Sequence, residues 1–255
     1  MSESPMQIVK LALLALLLVF VLPAALSAAL WKIGEHPGTW RDANWASAKL
    51  LPQPGETPEA AVYVLSARTG GLKGSVSEHS WIVLKDAGAR TYERWDKVGW
   101  GSPIRRNGYP ADGRWYSNEP RIVFARFGAE AEALLPAFRA AIASYPYAAA
   151  GGYRIFPGPN SNTFVAHVLR HVPGLSTVLS PVAVGRDYPS EGQLVFYDRD
   201  REDIRLSLFG YAGAVIGLGS GLEVNFLGLV AGIDPLRLAI KIPAFGTYAL
   251  RPDPV

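Results

Sequence analysis

The stretch Tyr153–Pro173, YRIFPGPNSNTFVAHVLRHVP, constrains this chain more than any other. Its residues predict a short strand at Tyr153–Phe156, a tight loop at Pro157-Gly158-Pro159-Asn160, and a helix from about Ser161 to His171. The prolines stiffen the loop and Gly158 allows a sharp turn. Asn160 or Ser161 suits an N-cap, because its side-chain oxygen can accept a free amide hydrogen of the first turn. Phe164, Val165, Val168, Leu169 and Val172 then fall on one face at helical spacing. The segment thus sets polar side chains and unpaired N–H groups at a buried helix start. Several enzyme classes keep a nucleophile or an oxyanion site in such a place.

A second constraint lies at the N-terminus. Leu11–Trp31 is 21 residues without a charge, long enough at about 1.5 Å per residue to cross the ~30 Å hydrocarbon layer. An uncut membrane anchor and a cleavable signal peptide both fit, the latter through Pro23 followed by Ala25-Leu26-Ser27. The expected organisation is a membrane or signal segment over 1–31, a proline-rich connector over 32–59 and one α+β domain over 60–255. The expected location is the cell envelope, with the domain outside the cytoplasm, or secreted if the leader is cut.

Within the domain, strands are expected at Ala61–Ala67, Glu78–Lys85, Arg90–Val98, Pro120–Phe127 and Gln193–Tyr197, with a helix at Glu130–Ser144 interrupted by Pro136. Leu206–Ile233 is apolar enough for a second span. Its seven glycines make a poor helix, however, and segments such as Val-Asn-Phe-Leu suit strands. With no cysteine in 255 residues, disulfides, thiolate zinc sites and a cysteine nucleophile are excluded. A net charge of +3, without a basic run, argues against a nucleic-acid partner.

Four histidines narrow the candidate chemistry. His79 opens an apolar strand and reads either as a structural histidine or as a general base able to take a proton from Ser161. Glu93 and Asp96 lie on the following strand, and either could orient the imidazole; Glu93 is the residue carried forward with Ser161 and His79 as a catalytic set. Asn160, Asn162 and Thr163 are the oxyanion or structural group, with the backbone amides of Asn162 and Thr163 as oxyanion donors. His167 and His171, four apart, have zinc-binding spacing but no obvious third ligand, so a solvated helix edge is expected and no metal. The Gly217, Gly219, Gly221 run lacks dinucleotide-loop spacing, and no cofactor is expected.

Trp40-Arg41, His79-Ser80-Trp81-Ile82, Val98-Gly99-Trp100, Tyr145-Pro146-Tyr147, Pro157 to Phe164 and Gly221 to Asn225 together resemble a bacterial envelope family, domain of unknown function 3750. More distantly, a strand-borne His-x-Trp followed by Asn-x-x-x-Phe at a helix start is similar to the circularly permuted papain-like proteins. That group includes lecithin:retinol acyltransferase-like proteins and NlpC-type peptidases. This resemblance implies a mostly antiparallel sheet packed on a central helix. It places the histidine at His79 and the family's cysteine at Ser161, flanked by Asn160 and Phe164. It implies acyl or amide hydrolysis on an envelope lipid or peptide, or an inactive domain that binds one. Serine lacks an accessible anion near neutral pH, so it would depend on its base.

Overall fold

A computed structural model describes residues 4–250. The chain is α+β, with an N-terminal apolar helix and two antiparallel sheets. Helix α1, Pro5–Ile33, starts on a Ser4–Gln7 capping box. It widens to a π turn at Leu17–Val21, just before Pro23. It is the one helix among the described residues long and apolar enough to cross a membrane.

The first sheet has the order β4-β3-β2-β1-β5, from β1 Ala61–Arg68, β2 Glu78–Lys85, β3 Glu93–Lys97, β4 Ile104–Arg106 and β5 Arg121–Phe127. Strand alternation divides it into two faces. Val62, Val64, Ile82, Leu84 and Phe124 form a core with helix α2, Gly128–Ala143, and helix α3, Ser161–His171. Tyr63, Leu65, Trp81, Val83 and Ala125 form a second core with Leu51, Val98 and Trp115 from the loops. The connector is fastened to this second side. Asp112 accepts from the Leu50 and Leu51 amides at 2.7 and 3.1 Å, and the Lys85 ammonium donates to the Thr57 and Glu59 carbonyls at 2.6 Å.

The second sheet is a seven-stranded meander of β6 Val195–Asp198, β7 Asp203–Leu208, β8 Ala212–Gly217, β9 Gly221–Phe226, β10 Leu229–Asp234, β11 Ala239–Ile242 and β12 Gly246–Ala249. The Leu206–Ile233 stretch is therefore strands and turns, as its glycines predict. Its burial is inverted. In β7 (Asp203–Leu208) Asp203, Arg205 and Ser207 are buried, while Ile204, Leu206 and Leu208 are exposed. In β9 (Gly221–Phe226) Glu223 and Asn225 are buried, while Leu222 and Val224 are exposed. The inner face meets the 174–192 connector through charge: Glu223 pairs with both Arg186 and Lys241, and Asn225 donates to Asp187 at 3.0 Å.

Tyr153–Phe156 is not a strand. It pairs with neither edge strand of the first sheet, β4 or β5. The Arg154 amide instead closes the loop by donating to the Pro159 carbonyl at 2.9 Å. Both X-Pro bonds in this loop, before Pro157 and before Pro159, are cis.

Helix α3 begins at Ser161, and Asn160 is its N-cap. The Asn160 Oδ1 accepts from the Asn162 and Thr163 amides at 2.9 and 3.1 Å. Its Nδ2 donates to the Ile155 and Val184 carbonyls, both at 2.9 Å. One buried side chain thus joins the loop, the helix and the connector. Replacing it by alanine removes the cap and orphans buried groups. Asn160→Ala is expected to lower stability by about 2–3 kcal/mol, read as a shift of the denaturant midpoint of the detergent-solubilised chain. Asn160→Asp, which keeps the cap and loses the two donations, should fall between.

Candidate functional site

His79 and Ser161 line one cavity of about 900 Å³. Trp100, Trp115, Tyr116, Tyr153 and Phe156 form much of its wall, with Leu227 and Leu229 reaching in from the second sheet. His79 comes from the start of β2, on the Trp81 face. Its ring lies flat on Trp115, with centroids 3.7 Å apart and planes 5° apart.

The third polar residue is Asp96. His79 Nε2 is 2.9 Å from Asp96 Oδ1. The β2–β3 register pairs Val83 with Arg94 and Ile82 with Trp95. Arg94 and Asp96 therefore share the face of Trp81 and His79, whereas Glu93 points the other way. Glu93 lies 3.6 Å from Arg139 on α2, so the orienting role expected of it passes to Asp96. Arg94 grips Asp96 with two nitrogens, at 2.8 and 2.9 Å, and lies 4.1 Å over the Trp81 ring.

The electrostatics fix the histidine's form. Burial pushes its pKa below the usual 6.5, and the Asp96 hydrogen bond offsets only part of that. Burial pushes the Asp96 carboxyl up, but Arg94 and His79 overcome it and hold it at about 2. At neutral pH the pair is thus a neutral imidazole and a carboxylate. A carboxylate can only accept, so His79 Nε2 carries the hydrogen and Nδ1 keeps its lone pair. Among the described residues no second hydrogen bond engages the ring.

At the helix start, the Asn162 and Thr163 amides are taken by the Asn160 cap, and the Phe164 amide by the Asn160 carbonyl at 3.1 Å. The expected oxyanion role of the Asn162 and Thr163 amides is therefore filled structurally, and the first turn is left with the Ser161 amide. Thr163 Oγ1 donates to the Gly185 carbonyl at 2.7 Å. Asn162 Nδ2 donates to the Glu78 and Val184 carbonyls at 2.8 Å, and its buried Oδ1 has no partner among the described residues. Burial pushes the Tyr153 phenol up to about 12, against a hydrogen bond to Ser161 that pulls it down. Tyr153 was not legible as a site residue, and neither was Trp115. Tyr153 stands over Gly99, where a Cβ would come within 2.9 Å of its ring, which gives Val98-Gly99-Trp100 a physical reason.

Only His171 lies on a solvated edge of the helix. His167 is buried, with Ser190 Oγ 3.1 Å from Nδ1 and Ser144 Oγ 3.4 Å from Nε2. His171 sits 2.8 Å from the His167 carbonyl and 2.6 Å from Glu191. The ligand atoms of His167, His171 and Glu191 all lie within 4.8 Å of one another, with every ring nitrogen already engaged.

A family model described as "Protein of unknown function (DUF3750)" matches residues 59–188. The chain belongs to this family. The DUF3750 match holds the first sheet, helices α2 and α3 and both His79 and Ser161. Trp40-Arg41, Gly221 to Asn225 and the second sheet lie beyond it. No curated protein and no solved structure matches the chain.

Two measurements test this site. Asp96→Ala leaves the Arg94 guanidinium, 1% exposed, buried without its partner, and should cost about 3–5 kcal/mol of stability. His167 has its pKa lowered to about 3, mainly by burial. Folding therefore favours its neutral form. That stability is complete above pH 6.5 and is lost as pH falls toward 3. Between pH 6.5 and 4.5 the loss is about 2–3 kcal/mol, and His167→Gln should flatten this part of the pH–stability curve.

Proposed function

We propose that the cavity is the active site of a Ser/His-dependent acyl or amide hydrolase with a permuted papain-like arrangement, held at the cell envelope by α1 with the domain outside the cytoplasm. The observation that carries this reading is the histidine. His79 Nε2 is fixed by an Arg94-clamped Asp96, and its free Nδ1 belongs to a ring in the same cavity as Ser161. A buried neutral imidazole with one nitrogen oriented by a carboxylate is what a general base requires.

In this mechanism Ser161 turns from Tyr153 toward His79. Its Oγ attacks the substrate carbonyl carbon as Nδ1 takes the hydroxyl proton. The Ser161 amide and the Tyr153 hydroxyl are the donors available to the oxyanion. The imidazolium then gives its proton to the departing amine or alcohol. Water, deprotonated by His79, hydrolyses the acyl-serine ester. The aromatic wall with Leu227 and Leu229 favours an apolar acyl group. The substrate class is therefore an envelope lipid or peptide carrying an acyl amide or ester.

A second reading is that the cavity binds such a molecule without cleaving it. It is favoured by one observation: no hydrogen bond joins Ser161 to His79 among the described residues.

The expected outcome for the hydrolase is fluorophosphonate labelling of Ser161 in the detergent-solubilised full chain. Ser161→Ala should abolish it, and His79→Ala should slow it by about 10²-fold or more. Its rate should fall on the acid side of pH 6.5, where His79 begins to protonate, and be level above it. Labelling that is absent, or equal in His79→Ala, fails the hydrolase. Retained binding of a fatty-acyl amide by Ser161→Ala would then favour the binding reading.

A further inference from the structure

Every exposed residue within strands β7 to β11 is isoleucine, leucine or valine. Ile204, Leu206 and Leu208 point out from β7, Leu222 and Val224 from β9, and Ile240 from β11. The alternate positions carry the buried charges described above. This is the alternation of a lipid-facing strand, apolar outward and polar inward, and the reverse of a sheet whose outer side meets water. An apolar face spread over five strands exceeds what a soluble monomer leaves open.

Helix α1 says what covers it. Phe20 packs edge-on against Phe226 of β9, with ring centroids 5.8 Å apart. Leu18, Val19, Phe20 and Pro23 share an apolar groove with Leu222, Val224 and Ile240. Farther along, Ser27 donates to the Ser75 carbonyl at 2.6 Å, and the Trp31 ring closes over Gly74. At its middle the helix therefore lies against the second sheet, so a helix that crosses the ~30 Å hydrocarbon layer carries the outer face of that sheet to the same layer.

We infer that the outer face of the second sheet is a lipid-contacting surface, immersed among acyl chains of one leaflet beside α1. The ladder pairs the backbone groups of the inner strands, so the face enters hydrocarbon without unsatisfied amides. The domain is held to the bilayer by two elements, and the cavity wall at Leu227 and Leu229, on the β9–β10 turn and β10, lies at the membrane. This rests on the reading of α1 as membrane-inserted.

The chain has no cysteine, which allows single-site labelling. Bimane-labelled Leu206→Cys, Val224→Cys and Ile240→Cys, with Leu13→Cys on the free part of α1 and Glu132→Cys on α2 as references, are reconstituted as full chains. The vesicles are phosphatidylcholine at high lipid-to-protein ratio, with and without doxyl-labelled phosphatidylcholine. The expected result is at least twofold quenching at the three sheet positions and at Leu13, and none at Glu132. Sheet positions that stay as bright as Glu132 overturn the proposal. Positions shielded from a water-soluble maleimide yet unquenched indicate a second copy on the face, which also overturns it. Quenching at Leu13 alone confines the failure to the sheet. Its absence at Leu13 as well would bring down the anchor reading too.

Discussion

The two amides at the start of α3 hold the rest of the site in place. Asn160 spends its oxygen on the helix and its nitrogen on the loop and connector. Asn162 ties the same helix to the Glu78 carbonyl, one residue from His79. A helix end needs partners for its free N–H groups. Here those partners also bring a distant strand and a polar connector to the same point. The position of Ser161 relative to β2 is therefore a consequence of capping.

Beside that point the protein buries charge rather than excluding it. Asp96, Arg94 and His79 satisfy one another inside an aromatic box of Trp81, Trp115 and Tyr109. Such a cluster gains little over a well-packed apolar core, since desolvation consumes most of the attraction. What it secures is orientation, because only one tautomer and one ring plane satisfy Asp96 and the Trp115 stack together.

The same economy governs the second sheet on a larger scale. Its polar side is turned inward onto Arg186, Asp187 and the connector, and its apolar side outward. In water this arrangement would expose apolar surface and desolvate charge at once. Next to hydrocarbon the first cost vanishes, and the charged interior becomes the wet side of the sheet. On the proposed lipid contact, the N-terminal helix and the sheet form one membrane-facing unit, with the matched family region carried on it.

Much of this was legible in the residues themselves. Ser161–His171 is a helix with the bounds that its cap and apolar spacing indicate, and β2 is Glu78–Lys85. The strands of the glycine-rich stretch follow from local propensity, as does the apolar helix. These are properties of neighbouring residues, set by periodicity of 3.6 or 2 and by capping. The partner of His79 was not local. Glu93 and Asp96 are equivalent in composition, and only the pairing of β3 with β2 turns one toward the imidazole and the other toward Arg139. The Asn162 and Thr163 amides went to Asn160 because a capping side chain two and three residues away holds them at a fixed, short range. Tyr153–Phe156 has strand composition, yet its Arg154 amide turns to the Pro159 carbonyl within the loop rather than to a sheet edge. His167 has the same local signal as His171, yet tertiary packing buries one and leaves the other half-open. The sequence by itself determined most of the helices and strands and marked His79 and Ser161 as candidates. The tertiary structure decided which of those side chains meet and which face of a strand counts as inside, because both depend on contacts between residues far apart in the chain.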